Sequence, residues 1–282
     1  MKKILLLISF LLVSFIAINS APAAQIVFVV DESGSMGGEH AWLNGMVNNL
    51  QTALVAAGVT NNEYGIVGYG NSSIVPRTVR AMSTLPASGF TNGLVTSGGT
   101  EDGYAGINYA FNNTGFGLDQ TQAVNVILVT DEDRDVWPYN STLNRAGIQA
   151  LFGSNMILNV VVNGFFYAGN ERALGVDADG NAYMADGSGG FTETTGGVPT
   201  SGFGTTITDY VDLALATGGA AWDLNLLRQG GLTAQSFTNA FIDIKVQETV
   251  IIEDNNPVPE PATMMLFGLG LLGLAGVNRR KK

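Results

Sequence analysis

The run Gln25-Ile-Val-Phe-Val-Val30 is almost wholly apolar, too short for a helix, and ends abruptly in Asp31-Glu-Ser33-Gly-Ser35. A brief β-branched run bounded by a Gly-Ser turn reads as a strand covered on both faces, and such strands belong to parallel sheets. Ligands of open α/β sheets gather outside the carboxyl ends of the strands, so Asp31, Ser33 and Ser35 fall where binding chemistry is expected. One carboxylate and two hydroxyls at alternate positions offer only hard oxygen donors. The chain has no cysteine and a single histidine, His40, so a metal held here is expected to be Mg²⁺ or Mn²⁺ rather than Zn²⁺ or copper.

The Asp-x-Ser-x-Ser order resembles the metal-ion-dependent adhesion site (MIDAS) of von Willebrand factor type A (VWA) domains. Two later segments are similar to the same family: Gly98-Gly-Thr100-Glu-Asp102 looks like its second loop, and Val126-Ile-Leu-Val-Thr-Asp131 looks like its third, another apolar strand ending in a carboxylate. The resemblance implies that Ser33, Ser35 and Thr100 coordinate an ion directly or nearly so, while Asp31 and Asp131 act largely through water. It also implies an open position that a ligand's Glu or Asp completes. Taken singly each segment has a plainer reading, because Ser and Asp cap helices and Asp is common in strand-end turns. Their order along the chain is what carries the resemblance. One departure is the acidic run Glu132, Asp133 and Asp135, where the family more often has glycine. It reads either as a solvated loop or as extra carboxylates near the ion. Trp137-Pro138-Tyr139 beyond it reads as a packed loop or an aromatic rim, and His40 as surface decoration.

Both ends are set apart from this body. Met1-Lys-Lys3, an apolar run to Ile18 and the small-residue stretch Ala21-Pro-Ala23 read as a secretory signal peptide over residues 1–23. At the other end Pro257-Val-Pro-Glu-Pro261 precedes an uncharged stretch to Val277 and the basic tail Arg279-Arg-Lys-Lys282. This order resembles the PEP-CTERM sorting signal of Gram-negative bacteria, which exosortase-type enzymes remove. The resemblance implies a linker and Pro-Glu-Pro box at 251–261, then a membrane helix and basic tail at 262–282. As a helix, 262–277 is about 24 Å long, short of the roughly 30 Å of a hydrocarbon core, so it suits transient better than permanent insertion. The tail stays cytoplasmic by the positive-inside tendency, and the body lies across the membrane. The expected location is the periplasm, the cell surface or the extracellular matrix.

Formal net charge is −11, and loss of both ends makes it more negative, because they hold all the lysines except Lys245. So acidic a body repels nucleic acid and anionic lipid headgroups, and neither is expected as a partner. Between the ends, strand and helix patterns alternate as an α/β fold requires. Leu43, Met46, Val47, Leu50 and Leu54 mark a helix; strands are expected over 64–69, 77–82, 123–130 and 156–162, with helices at Tyr104–Phe111 and near 141–151. After an irregular Gly-rich insertion over 164–204, with a hairpin around Asp177–Asn181, a helix over 207–216, a last strand at Trp222 and a final helix with Phe237, Phe241 and Ile244 complete the body. The expected fold class is α/β, a doubly wound, mostly parallel, VWA- or Rossmann-like sheet flanked by helices, as one domain over 24–250. With one histidine, no cysteine and no Gly-x-Ser-x-Gly segment, the usual nucleophile and base pairs are missing, and no enzyme is expected. The resemblance implies a sorted adhesion domain gripping an acidic protein or polysaccharide through its ion. The alternative is a structural component of a biofilm matrix.

Overall fold

Every residue of β1 (Ala24–Asp31) is buried in the interior of a nine-stranded sheet. The structure, a computed structural model, describes residues 23–73, 75–85, 88–136 and 142–254. Side chains alternate across a strand, so one covered on both faces must be apolar nearly throughout. Ile26, Phe28 and Val30 accordingly pack into one core, and Val27 and Val29 into the other.

Strands β2 (Glu63–Tyr69) and β4 (Ala123–Val129) flank β1, both parallel to it. Beyond β2 lies antiparallel β3 (Arg77–Thr84); beyond β4 lie β5 (Met156–Val162) and then β12 (Ala220–Asp223), both parallel. The central order β3-β2-β1-β4-β5-β12 reverses direction between β1 and β4, and that switch point is where doubly wound sheets open a crevice. Helices α1 (Gly37–Ala56), α5 (Leu224–Arg228) and α6 (Gly231–Asp254) cover one face. The other is covered by α2 (Gly103–Asn112), α3 (Arg145–Gln149) and α4 (Asp212–Ala216), the last entered through one π-helical turn, Ile207–Val211.

The fold is therefore the expected α/β sheet flanked by helices, parallel through its central five strands and mixed overall. The antiparallel part comes from the insertion, which folds into β6 (Gly164–Ala168), β7 (Glu171–Ala173), β8 (Gly175–Asp177), β9 (Asn181–Ala185), β10 (Phe191–Thr195) and β11 (Gly197–Gly202). β8, β9 and β10 continue the main sheet past β12, while β11, β6 and β7 form a small sheet of their own. A bare β12 would expose a row of unpaired backbone groups, and β8 covers them. Tyr183 of β9 stacks on Trp222 of β12 at 5.2 Å, locking the extension to the core. At the hairpin, Asp177 Oδ1 accepts the N–H groups of Asp179 and Asn181 at 3.0 and 2.8 Å, ordinary turn chemistry.

Two elements differ from expectation. The helix near 141–151 spans only Arg145–Gln149 among the described residues, and α5 was not foreseen because its five residues are too few to show a helical period. The signal peptide, Pro-Glu-Pro box, membrane helix, basic tail and Trp137-Pro138-Tyr139 lie outside the described residues. Among the described residues no helix is long and apolar enough to cross a membrane.

Gly219 shows how tightly β12 and β5 meet: a Cβ there would lie 1.9 Å from the Leu158 carbonyl oxygen, and backbone cannot yield as a side chain can. Gly219→Ala is expected to lower stability by about 1–3 kcal/mol, as overpacking does. A urea titration would show this as a lower midpoint at unchanged slope.

Candidate functional site

Asp31 ends β1 and is fully buried. Its Oδ1 accepts the Ser33 N–H at 2.7 Å and its Oδ2 the Thr130 hydroxyl at 2.8 Å, so the carboxylate is clamped between the ends of β1 and β4. Burial still dominates, pushing the carboxyl up to about 6 although both hydrogen bonds favour the charged form; Asp131 nearby adds to the rise. Ser33 Oγ lies 3.2 Å from Ser35 Oγ, and Ser35 Oγ donates to Asp131 Oδ1 at 3.0 Å. Asp31, Ser33, Ser35 and Asp131 thus form one hydrogen-bonded run, although Ser35 and Asp131 stand 96 positions apart in the chain.

Thr100 is the expected member that does not join this run. It rides on a loop tied to the end of β1, where Ser97 N–H donates to the Glu32 carbonyl oxygen at 2.8 Å. The Glu32 carboxylate fastens the same loop by accepting Val95 N–H at 3.0 Å, and is itself held by Arg77 and by Asn71 Nδ2. Gly98 lets the loop pass: its φ is +108° and a Cβ would sit 2.4 Å from the Gly70 carbonyl oxygen. Thr100 is half-buried, and among the described residues its hydroxyl makes no hydrogen bond.

The neighbouring Glu101 is buried, and it meets Asp31 over Gly70, where a Cβ would lie 3.0 Å from Glu101 Cγ and 3.1 Å from Asp31 Oδ1. Burial first, then the charges of Asp31, Asp135 and Glu132, push its carboxyl up to about 8. The acidic run is not the freely solvated loop that was one expectation. Asp135 N–H donates to the Glu101 carbonyl oxygen at 2.7 Å, and its Oδ2 accepts Glu101 N–H at 3.1 Å. Asp133 accepts Thr205 N–H at 3.0 Å, and Arg134 pairs at 2.8 Å with Asp102, the N-cap of α2.

Sequence reasoning also missed a cation at the edge. Asp223 caps α5 by accepting Asn225 N–H at 3.0 Å, and Arg228 at the far end of that helix bridges two acids. Its guanidinium reaches Asp131 Oδ2 at 2.8 Å and Glu39 Oε1 at 2.7 Å. Glu39 Oε2 is buried and makes no hydrogen bond within the described residues. No local pattern distinguishes Arg228 from any surface arginine. His40, expected as surface decoration, is buried instead, with Nε2 2.8 Å from the Asp31 carbonyl oxygen, because the first turn of α1 folds back over the end of β1. Thr130 was within reach of the sequence, as a hydroxyl beside the Asp131 carboxylate at a strand end.

Among the described residues no three His, Cys, Asp or Glu side chains converge as a metal cage. The oxygens that do come together here are the Ser33 and Ser35 hydroxyls with the Asp31 and Asp131 carboxylates. Adjacent oxygens around an octahedral ion bound at about 2.1 Å are about 3 Å apart. The Ser33–Ser35 and Ser35–Asp131 separations of 3.2 and 3.0 Å match that spacing. Asp31, Ser33, Ser35 and Asp131 offer only hard oxygens, and Glu39 Oε2 close by is a buried acceptor without a hydrogen bond among the described residues, so the donor set fits a hard divalent cation.

Three solved structures are similar at low identity. Two are crystal forms of proximal thread matrix protein 1 from the mussel byssus. The first is 17% identical, with a TM-score of 0.36, covering 51% of this chain and 37% of that one. The second is 13% identical, with a TM-score of 0.41, covering 78% and 46%. The SpRpn10 VWA domain is 13% identical, with a TM-score of 0.36, covering 50% of this chain and 75% of its own. The chain thus spans less than half of the byssus protein's length in either form. No curated protein matches the sequence. Residues 257–281 match the family model of the PEP-CTERM protein-sorting motif. The chain carries that signal, which implies export in a Gram-negative bacterium, a membrane-held stage before processing, and recognition by an exosortase-type enzyme.

Proposed function

We propose that the domain is an adhesion or binding module that holds Mg²⁺ or Mn²⁺ through Asp31, Ser33, Ser35, Thr100 and Asp131 and grips a carboxylate of an acidic protein or polysaccharide. The observation that carries this is the hydrogen-bonded run of Asp31, Ser33, Ser35 and Asp131 at the switch point, with its oxygens at coordination spacing. When bound, the cation supplies an electrophilic position for an anionic oxygen. The protein's part is orientation. Thr130 and the Ser33 N–H hold Asp31, Arg228 holds the far oxygen of Asp131, and Glu32 anchors the loop bearing Thr100. Elsewhere the strongly acidic body repels an anionic ligand, which favours this edge as its landing point.

The reading is of a binder and not an enzyme. The sole histidine is committed to the Asp31 carbonyl oxygen rather than to Ser33 or Ser35, which leaves neither hydroxyl with an adjacent imidazole base. Sorting to the cell surface or its matrix follows in this reading from the C-terminal signal.

Mg²⁺ at about 100-fold above Kd should stabilise the domain by about 2.7 kcal/mol, raising Tm by roughly 5–10 °C over protein in EDTA. Ser35 is exposed, so Ser35→Ala should keep the EDTA melting temperature while losing most of the Mg²⁺ shift. Wild-type melting that ignores Mg²⁺, Mn²⁺ and EDTA alike would instead favour the structural matrix component.

A second measurement concerns pH. Asp31 and Glu101 hold their protons more firmly folded than unfolded, where their values are 3.8 and 4.5. Stability from this source is complete below those values and is lost as pH rises through about 6 for Asp31 and about 8 for Glu101. In EDTA, urea-unfolding stability should fall between about pH 5 and about pH 8, and saturating Mg²⁺ should flatten that decline. A level profile in EDTA would contradict the upward shift of these two carboxyls.

A further inference from the structure

Lys245 is the only lysine between Lys3 and Lys281, and its side chain is wholly buried. Burial disfavours its charged form and brings the ammonium down to about 8, against the opposing pull of Glu248. The amine lies over the Trp222 and Phe241 rings, 5.3 and 5.5 Å from their centres. Nζ is in direct contact with Asn159 Oδ1 and lies 2.6 Å from each Glu248 carboxylate oxygen.

Asn159, in β5, has no exposure to solvent. Its Oδ1 also accepts the Ala220 N–H at 2.8 Å, and its Nδ2 donates to Glu248 Oε2 at 2.8 Å and to Asn125 Oδ1 at 2.9 Å. An ion pair needs only lysine and glutamate. Here an amide joins them, with a backbone donor on its carbonyl oxygen and the carboxyl group bridging the amine and the amide nitrogen. Those are the parts of an acyl transfer: nucleophile, polarised carbonyl, and an acid–base group touching both nitrogens.

We infer that Lys245 and Asn159 join in an intramolecular isopeptide bond, with Glu248 carrying the protons. The ammonium first gives a proton to the Glu248 carboxylate, leaving an uncharged pair that the apolar surroundings favour. The Nζ lone pair then adds to Asn159 Cγ, and the carbonyl electrons move onto Oδ1, which the Ala220 N–H stabilises. Glu248 gives its proton to Nδ2 and takes one from Nζ. The carbonyl re-forms, the Cγ–Nδ2 bond breaks with its electron pair on nitrogen, and ammonia leaves. An amine and a primary amide become a secondary amide and ammonia, with nothing oxidised or reduced.

The bond would tie α6 to an inner strand across 86 positions of sequence. In a cysteine-free exported chain it does what a disulfide does elsewhere, limiting the unfolded chain's freedom. Residues 257–281 follow α6 closely in sequence, so a pull on that end enters through this helix and passes to β5.

Trypsin digestion of the denatured full-length protein, followed by tandem mass spectrometry, tests this without requiring any variant to fold. The expected product is a branched peptide joining residues 146–172 to a segment starting at residue 229, uncut at Lys245. Its mass should fall about 17 Da, one ammonia, below the sum of its two arms. Separate linear peptides over 146–172 and 229–245 would overturn the proposal. Glu248→Gln should yield mainly those linear peptides, and an undiminished yield of the branched one would overturn the role given to Glu248.

Discussion

Burial of β1 on both faces is the constraint from which the rest follows. A strand with no solvent along its length has its first polar opportunity where the covering helices stop, and here that position is Asp31. Its carboxylate is desolvated yet lies at the switch point, with β4 delivering Asp131 beside it. Much of the surrounding structure answers that charge. The Ser33 N–H and the Thr130 hydroxyl bond to Asp31, α5 brings Arg228 to Asp131, and burial, with the charges of Asp31, Asp135 and Glu132, pushes the Glu101 carboxyl up. Glu39 Oε2 still has no hydrogen bond among the described residues, and the divalent ion of the proposed function would add positive charge at this edge.

Lys245 presents the opposite charge at a different depth. The edge group can be compensated by an ion from solvent, whereas the buried ammonium beside Trp222 and Phe241 has Glu248 and Asn159 as its hydrogen-bond partners. Proton transfer to Glu248 removes both charges together, and condensation with Asn159 makes that neutral state permanent. The two centres use the same sheet differently. In the proposed function the end of β1 serves recognition, and the inferred bond would give the interior of β5 a cohesive role in a chain without cysteine.

Fold class was legible because burial writes itself into composition strand by strand: β1, β4 and β5 are continuous apolar runs, and α1 shows its buried face at three-and-four spacing. The insertion resisted such reading. Its strands are short and rich in Gly, Thr and Ser, and whether they pair with β12 or with each other depends on an edge that exists only once the sheet is assembled. The site divides in the same way. Asp31, Ser33, Ser35 and Asp131 follow strand ends that can be found by eye, and they do meet. Thr100 sits on the right loop without joining their hydrogen bonds, and His40 turned out to be buried because α1 begins immediately after the loop that it closes.

The amino-acid order alone therefore determined which segments become buried strands, which oxygen donors end them, and that the chain carries a sorting signal. Those properties depend on local hydrophobicity and spacing. Tertiary structure alone decided that Arg228 answers Asp131 and Glu39, that Glu101 lies against Asp31, and that Lys245 meets Asn159. Each of these joins residues far apart in the chain, through side chains whose types are unremarkable where they stand. Burial and proximity give them their chemistry, and both arise only when the two cores close around the sheet.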